Sequence, residues 1–580
     1  MDGDRDIMDG ALKSPHPAGA TANPSAVEAH KPASEATERR VIFASSLGTM
    51  FEWYDFFLAG ALAAEISKNF FSGVNPQAAF IFTLLSFATG FAVRPFGALI
   101  FGRIGDIVGR KYTFLVTIGL MGAGTFIVGL VPGYATIGIL APIIFICMRM
   151  LQGLALGGEY GGAVVYVAEH APNSRRGEKT AWIQTTAVLG LLLSLAVILP
   201  TRYILGEQEF GAWGWRIPFL LSIVLLGISM VIRLRLSESP EFTRMKEEGR
   251  TSKSPISESF GQWRHLKLVF VALFGMAMGQ TVIWYTGHFY SMFFLTQTLK
   301  VDGGTANLII VIAAIVTMPF YVLFGRLSDR IGRKPVFLTG CLLAACSIFP
   351  IYKAMAHYAN PALELAQKNA PISVIADPAD CSFQFNPTGT AKFTSSCDIA
   401  RSAITKAGLN YVDVAAPAGT IARVKVGEAT IESYRGLGAD VQTQGKRFAN
   451  DFSALLKGAG YAVGPADPTQ VNTPMIVFLI VLLALCGTMT YGPMAAMLVE
   501  LFPSRIRYTA MSLPYHVGTG WFGGFLPATA FAISASTGDI YAGLWYPVIL
   551  SSACFVICLF FVRETKGINI YSAADDRGHA

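Results

Sequence analysis

The decapeptide at residues 102–111, GRIGDIVGRK, returns in nearly the same form at residues 325–334, as GRLSDRIGRK. Each copy lies between two long apolar segments, where a basic loop connects two helices of a membrane protein. Of the 580 residues, 53% are hydrophobic and only 14% are charged, whereas soluble domains contain about 25% charged residues. The chain is therefore predicted to be a polytopic membrane protein made of two related halves.

Apolar segments of roughly 20 residues or more are long enough to cross about 30 Å of hydrocarbon. Such segments begin near residues 41, 77, 112, 136, 180, 215, 266, 303, 335, 474, 508 and 541. The sequence thus predicts about twelve transmembrane helices. The polar residues 1–40 contain no apolar run, and they are predicted to form a disordered tail.

Lysine and arginine residues are concentrated in the loops on one side of the predicted helices, including both decapeptides. The short loops on the other side contain little beyond Lys68, Arg202 and Lys300. By the positive-inside rule, both termini are predicted to be cytoplasmic. Topology thus explains the net charge of +7, and no binding to nucleic acid is predicted.

The second half is longer than the first because it contains one insertion. Residues 169–175 after the fourth span resemble residues 500–505 after the tenth, and these stretches lie further apart than the two decapeptides. The extra residues fall at 355–473, between helices 9 and 10, on the predicted outer, periplasmic side. They form either a small folded cap or a loose loop. The predicted units are the tail 1–40, helices 1–6 at 41–236, a cytoplasmic linker at 237–265, helices 7–9 at 266–354, the insertion at 355–473, helices 10–12 at 474–565 and a cytoplasmic tail at 566–580.

Two cysteines, Cys381 and Cys397, lie in this insertion. Because an outer compartment permits disulfides, they are predicted to form one that stabilises the insertion. Two free thiols or a metal pair are the alternatives, although no histidine accompanies them between residues 358 and 473.

Charged side chains inside the hydrocarbon are costly unless they are paired or hydrated, so they are candidates for function. Because several are present, they imply an internal cavity. The candidates are Glu52 and Asp55 in the first span, Arg94 in the second, Arg149 and Glu159 in the fourth, and His288 in the seventh, beside Trp284 and Tyr285.

Asp55 is predicted to carry a proton, and its protonation is predicted to change when Arg149 approaches. A static ion pair between the first and fourth spans is the alternative. Arg149 either holds an anionic substrate or only balances Asp55, and Glu52 either takes part in proton coupling or serves structure. The predicted substrate-binding residues are Arg149, Glu159, His288, Trp284, Tyr285 and Arg94; for His288 a satisfied buried histidine is the alternative.

The glycine-rich fourth span has no preceding strand, and the chain contains no P-loop, HExxH or GxSxG motif. The chain is therefore predicted not to be an enzyme and to need neither a cofactor nor a metal. Its energy source is predicted to be a proton gradient.

Three segments carry a family resemblance: EWYDFFL at 52–58, RPFGALIFGRIGD at 94–106 and QGLALGGEYGGA at 152–163. With the paired loops, they resemble the metabolite:proton symporter family of the major facilitator superfamily, over residues 41–565. The resemblance implies an all-α membrane protein of two six-helix bundles, with alternating access around a central site, in a bacterial cytoplasmic (inner) membrane. It also implies that the repeated loops brace the cytoplasmic side, through Gly102, Asp106, Gly109 and Arg110 and through Gly325, Asp329, Gly332 and Arg333.

Members of that family carry organic acids, or zwitterions such as proline and betaine. The tail after Arg563 is only 17 residues long and lacks heptads, unlike the coiled-coil arm of some zwitterion carriers. A proton-coupled symporter of a small organic acid is therefore predicted, acting as a monomer, with the substrate and the lipid bilayer as its partners. A symporter of proline or betaine is the first alternative. A solute sensor that uses the outer insertion is the second.

Overall fold

The computed structural model describes residues 35–73, 76–235, 237–382, 393–438, 440–461 and 464–570. Most of the predicted tail 1–40 and residues 571–580 lie outside this range. The first helix begins at Glu35, so it includes the last six residues of the predicted tail 1–40. The helix starts in polar residues because a membrane helix extends beyond the apolar part of its sequence.

The described residues of the first half form eight helices, six of which occupy the predicted spans. They are α1 (Glu35–Ala61), α2 (Ala63–Phe70), α3 (Pro76–Ile107), α4 (Arg110–Leu130), α5 (Tyr134–Ile137), α6 (Leu140–His170), α7 (Arg176–Glu209) and α8 (Arg216–Leu234). Helices α3 and α6, α1 and α7, and α4 and α8 pack in pairs. Two short helices follow in the linker, α9 (Pro240–Glu247) and α10 (Pro255–Gly261).

The seventh span is helical from Trp263 to Thr298. It contains α11 (Trp263–Ala272), α12 (Met278–Tyr285) and α13 (Ser291–Phe293), which are joined by π-helical turns. The remaining spans are α14 (Gly303–Ile331), α15 (Arg333–Ala359), α19 (Thr473–Leu501), the pair α20 (Arg507–Val517) and α21 (Leu526–Thr537), and α22 (Trp545–Phe561). Within this half, α19 packs against α14 and α15. The two halves meet where α7 packs against α14 and α3 against α20.

Nine helical segments of the described chain are long and apolar enough to cross a membrane. The other three predicted spans are occupied by α1, α3 and the pair α20 and α21. We call the face with residues 102–111 and 325–334 the repeat-loop face. Helix α15 starts there and ends about 40 Å away at 1.5 Å per residue. The opposite face, where the insertion begins, is the insertion face.

The insertion is a folded unit with its own sheet. Of the two predicted alternatives, it is therefore the folded cap and not the loose loop. Its elements are α16 (Pro361–Asn369), β1 (Ile372–Ala376), α17 (Ser396–Lys406), β2 (Val412–Ala415), β3 (Arg423–Val426), β4 (Ala429–Glu432) and α18 (Val441–Gly458). The strand order is β2-β1-β3-β4, with β1 parallel to β2 and antiparallel to β3. Val374 of β1 and Val424 of β3 are paired and fully buried against α17 and α18. The protein is therefore all-α only within its membrane part.

A disulfide joins Cys381 to Cys397, with 5.2 Å between their Cα atoms. It ties the loop after β1 to the first turn of α17. The insertion is also bonded to the second half: the backbone N–H of Tyr411 donates to the Gly538 carbonyl at 2.8 Å, and its hydroxyl donates to the Ala535 carbonyl at 2.6 Å. These bonds fix the unit to the last turn of α21 and to the loop that follows it.

Candidate functional site

The two repeat loops turn at Gly109 and Gly332, whose φ angles are 135° and 113°. Other residues rarely adopt such angles, so glycine is required where α3 is followed by α4 and α14 by α15. Gly102 and Gly325 allow the two halves to approach closely. A Cβ on Gly102 would lie 2.9 Å from the backbone of α20, and one on Gly325 would lie 2.6 Å from the backbone of α7.

Asp106 of the first repeat loop caps α20, a helix of the other half. Its carboxylate accepts hydrogen bonds from the backbone N–H of Thr509 (2.9 Å) and of Tyr508 (3.3 Å), and from the Thr509 hydroxyl (2.7 Å). The first N–H groups of a helix have no partner within it and carry a partial positive charge, so a carboxylate is stabilising there. Arg110 lies 3.5 Å from the same carboxylate.

Asp329 of the second repeat loop repeats this arrangement in the opposite direction. It accepts hydrogen bonds from the backbone N–H of Gly177 (2.9 Å) and of Glu178 (2.8 Å), in the first turn of α7. Arg333 lies 2.5 Å from Asp329. Each half thus caps a helix of the other half, as expected for two repeats related by a pseudo-twofold axis.

Buried ion pairs connect the halves beside these caps. Arg507 lies 3.1 Å from Glu169, and Arg176 lies 2.9 Å from Glu500. Each glutamate also faces the arginine of a repeat loop, with Arg110 3.7 Å from Glu169 and Arg333 3.2 Å from Glu500. The gate, as we use the term, consists of Asp106, Arg110, Glu169, Arg176, Asp329, Arg333, Glu500 and Arg507.

Two further carboxylates, which the sequence analysis did not single out, support the gate. Glu238 accepts a hydrogen bond from the backbone N–H of Arg110 at 3.1 Å, and Glu564 accepts one from that of Arg333 at 2.9 Å. They cap α4 and α15 in equivalent positions of the two halves. Each lies just after the last helix of its half, four residues beyond Leu234 and three beyond Phe561, and this position is the sequence signal that identifies them.

The segment after α22 crosses the gate. The Ile568 carbonyl accepts a hydrogen bond from Arg176 at 3.3 Å, and the Ile570 carbonyl accepts one from Arg507 at 3.4 Å. The Ile570 side chain is 2% exposed. The first residues of the predicted tail 566–580 are therefore part of a closed repeat-loop face.

Arg94 lies within the membrane, at the contact between the halves. It is twelve residues before Asp106 on α3, about 18 Å along the helix axis. Its guanidinium stacks on the rings of Phe91 and Phe56, 4.4 Å and 5.1 Å from their centroids. The side chain is 4% exposed, yet its Nε and Nη2 atoms have no hydrogen-bond partner among the described residues.

Asp55 and Arg149 belong to one polar network of the first half. Arg149 donates to the Gln152 side-chain oxygen at 2.7 Å, and the Gln152 amide donates to the Thr125 hydroxyl at 2.8 Å. The Thr125 hydroxyl itself donates to the Met121 carbonyl at 3.1 Å. Thr125 and Arg149 both lie close enough to the Asp55 carboxylate to act on it electrostatically. The structure thus places the predicted pair in one polar region, together with Thr125 and Gln152, which were not predicted.

Glu159, a predicted substrate-binding residue, is instead part of a buried ion pair. It binds the guanidinium of Arg233 and accepts a hydrogen bond from the Thr117 hydroxyl at 2.8 Å. Arg233 is not among the predicted site residues because a basic residue at the end of a span indicates topology first. Glu52 lies near this pair and near Arg94, and its Oε2 atom lacks a hydrogen-bond partner within the described chain.

The predicted aromatic residues of the seventh span lie against the first half. The ring centroids of Trp284 and Trp53 are 6.5 Å apart, and those of Tyr285 and Phe91 are 6.2 Å apart. His288 stacks on Trp284 at 4.6 Å, and its Nδ1 atom lies 2.9 Å from the Trp284 carbonyl. Its own helix holds the Nδ1 atom, whereas the buried Nε2 atom has no hydrogen-bond partner among the described residues, so His288 is not the fully satisfied histidine of the alternative.

A second aromatic contact joins the halves through α6 and α20. Tyr160 stacks on Tyr515 with 3.7 Å between ring centroids, and the Tyr515 and Tyr491 hydroxyls lie 2.6 Å apart. Gln184 donates to the Tyr160 hydroxyl at 2.9 Å. His516 follows Tyr515 and is buried beside it. These residues and Arg94 lie at the contact between the halves.

Comparisons with known proteins agree with this architecture. A family profile described as sugar (and other) transporter matches residues 41–261, 244–376 and 453–576. The proline/betaine transporter of Salmonella typhimurium is 34% identical over 321 residues, which cover 54% of this chain and 64% of that protein. The alpha-ketoglutarate permease of Escherichia coli is 33% identical over 331 residues, 57% of this chain and 75% of that protein. The shikimate transporter of the same organism is 32% identical over 321 residues, 55% and 72% of the two chains.

Solved structures of the same fold are also similar. A double tryptophan variant of XylE superposes with a TM-score of 0.61 at 15% identity, over 92% of this chain and 98% of that chain. The proton:xylose symporter XylE superposes with a TM-score of 0.57 at 14% identity, over the same shares of the two chains. At this identity the similarity concerns the fold.

The two bundles, the gate and the buried polar centre define a multi-pass membrane protein of the major facilitator superfamily. Within that superfamily, the chain belongs to the sugar (and other) transporter family, whose members are transporters and not enzymes. The predicted fold class is confirmed. The chain spans 64% of the length of the Salmonella relative.

Proposed function

We propose that the chain is a proton-coupled symporter that carries a small carboxylate-bearing metabolite by alternating access. It acts in a bacterial cytoplasmic membrane, with both termini and the repeat-loop face in the cytoplasm. The observation that carries this proposal is the buried guanidinium of Arg94, which has two nitrogens without hydrogen-bond partners among the described residues.

Arg94 is the proposed anchor for the substrate carboxylate. A buried arginine is strongly destabilising unless its charge is matched, and a carboxylate can bind it through two parallel hydrogen bonds. Arg149 is less suited to this role because it is already bonded to Gln152 and attracted by Asp55. The anchor is therefore assigned to α3 instead of α6.

Proton coupling is assigned to Asp55, with Arg149 as its partner. When Asp55 loses its proton, its charge attracts Arg149; when it gains one, Arg149 is released toward Gln152 and Thr125. Because Arg149 also interacts electrostatically with Arg94, the protonation of Asp55 changes the charge felt at the substrate anchor. Binding of the proton and of the carboxylate is thereby coupled.

Glu52 is a second candidate for the proton. Its carboxylate interacts electrostatically with Arg94 and with Asp55, so its protonation would also change the charge around the anchor. Asp55 is preferred because it lies beside the hydrogen-bonded chain of Thr125, Gln152 and Arg149 and attracts Arg149 electrostatically.

A zwitterionic solute is a second candidate, and the contact of Trp53 with Trp284 favours it. Aromatic faces bind quaternary ammonium groups, and Arg94 would then hold the carboxylate of the same solute. The relatives include a proline/betaine transporter. Transport of labelled 2-oxoglutarate and shikimate, compared with that of proline and glycine betaine, separates the two candidates.

The anchor is tested in proteoliposomes with an imposed pH gradient. Arg94→Gln is expected to lower kcat/KM for the transported solute about 10- to 100-fold, as for loss of hydrogen bonds to a charged group. Arg447→Gln, an exposed arginine of the insertion, serves as the matched control and leaves uptake unchanged. Normal uptake by Arg94→Gln would exclude Arg94 as the anchor.

A further inference from the structure

Two polar side chains of α20 are buried at the contact with the first half. Ser512 and His516 are four residues apart and therefore lie on the same helix face. The Ser512 hydroxyl lies against Gly161 of α6, where a Cβ would come within 2.0 Å of it. This places the polar face of α20 against the first half.

His516 is 2% exposed, and neither Nδ1 nor Nε2 has a hydrogen-bond partner in the part of the chain that the structure describes. Its ring is in edge contact with the rings of Tyr515 and Tyr160, at 5.0 Å and 6.4 Å between centroids. Buried polar groups are hydrogen-bonded in the great majority of cases. A histidine with both ring nitrogens unpartnered is therefore a candidate for contact with a ligand.

Arg94 and His516 act on each other electrostatically. They come from different halves, and both have nitrogens without partners among the described residues. A solute between them would contact Arg94 of the first half at one end and His516 of the second half at the other.

We propose that His516 is the specificity-determining contact of the second half, and that it selects a dicarboxylate or a hydroxycarboxylate whose first carboxylate binds Arg94. This proposal rests on the proposed function. An imidazole offers one N–H donor and one acceptor nitrogen. The donor pairs with a second carboxylate, and the acceptor pairs with a hydroxyl group.

Solutes with only one oxygen-bearing group leave His516 buried without a partner. A site built to hydrogen-bond a polar group discriminates against analogues that lack it, because its own group then stays unpaired. Propionate and glycine betaine each have a single carboxylate and no other oxygen. They are therefore expected to bind less tightly than 2-oxoglutarate or shikimate.

The test measures dissociation constants of the purified full chain for 2-oxoglutarate, shikimate, propionate and glycine betaine by titration calorimetry. The wild-type chain is expected to prefer 2-oxoglutarate or shikimate over propionate, and His516→Phe is expected to reduce that preference about tenfold. Binding of propionate is expected to stay unchanged in this variant. His516→Gln keeps a donor and an acceptor, and it is expected to retain most of the preference.

His357→Phe is the matched control, because His357 is exposed and lies away from Arg94 and His516. Thermal unfolding of each variant verifies that it is folded. An unchanged preference in a folded His516→Phe, or equal wild-type affinity for propionate and 2-oxoglutarate, overturns the proposal. If Arg94→Gln abolishes binding while His516→Phe leaves the preference intact, only the role of His516 fails. If no carboxylate binds the wild-type chain, both the proposed function and the role of His516 are wrong.

Discussion

At the residue scale, two buried polar systems lie in the described part of the first half, apart from the gate. One places Asp55 beside the hydrogen-bonded chain of Thr125, Gln152 and Arg149; the other pairs Glu159 with Arg233. The second system is a closed ion pair, whereas the first combines a carboxylate with a chain of neutral groups that can rearrange. A group that exchanges protons during transport belongs to the system that can change its bonding, which is why coupling is assigned to Asp55.

Replacing Asp55 with Asn is expected to abolish accumulation driven by a pH gradient, because the amide cannot bind and release the proton. Exchange of labelled for unlabelled solute needs no net proton movement and is expected to persist. Both are measured in proteoliposomes, with Asp451→Asn in the insertion as the control. Wild-type accumulation by Asp55→Asn would disprove the coupling role.

The sequence located most of these residues but not their partners. Charged residues within apolar spans are visible in a single sequence, so Glu52, Asp55, Arg94, Arg149 and Glu159 are found directly. Pairing depends on which helices become neighbours, and this is decided by packing between distant segments. For that reason Glu159 was assigned to the substrate, although Arg233 of α8 occupies it.

At the element scale, the gate carboxylates of each half bind helices of the other half. Loss of a helix cap typically costs about 1 kcal/mol, whereas leaving one partner of a buried ion pair alone costs about 3–5 kcal/mol. Truncating Glu169 or Glu500 is therefore expected to weaken closure more than truncating Asp106 or Asp329. The linker helix α9 lies against the same region.

Glu241 of α9 makes the docking of the linker sensitive to pH. Its side chain is 3% exposed, and burial, reinforced by the charge of Glu169, raises the pKa of its carboxyl group from 4.5 to about 7. Arg244, Arg507 and a hydrogen bond with Ser504 oppose this shift. The neutral form is favoured when α9 is docked, so docking is strongest below the ordinary pKa and weakens as the pH rises through about 7.

Hydrogen exchange of residues 240–247, corrected for the intrinsic effect of pH, checks this expectation. Protection is expected to fall from acidic to alkaline pH in the wild-type chain and to be independent of pH in Glu241→Gln. Glu247→Gln, an exposed change in the same helix, should behave like the wild type. Protection that rises with pH would contradict the assignment.

At the scale of the whole molecule, the repeated decapeptide predicts the pseudo-twofold arrangement because each copy uses the same three devices: a glycine turn, a capping aspartate and an arginine. The insertion shows the limit of such reasoning. Its strands are four or five residues long, and strand pairing between β1 and β3 joins residues about 50 positions apart. Local patterns do not specify such pairing, so the folded sheet was not predicted.

The central claim is that solute entry draws on the proton gradient through a site between the two halves. The most direct measurement is the internal pH of proteoliposomes after external addition of 2-oxoglutarate, shikimate, proline or glycine betaine, with protein-free vesicles as the control. At least one solute is expected to acidify the lumen of vesicles that contain the wild-type chain, and Arg94→Gln or Asp55→Asn is expected to prevent this. No protein-dependent change in internal pH with any of the four solutes would contradict the account.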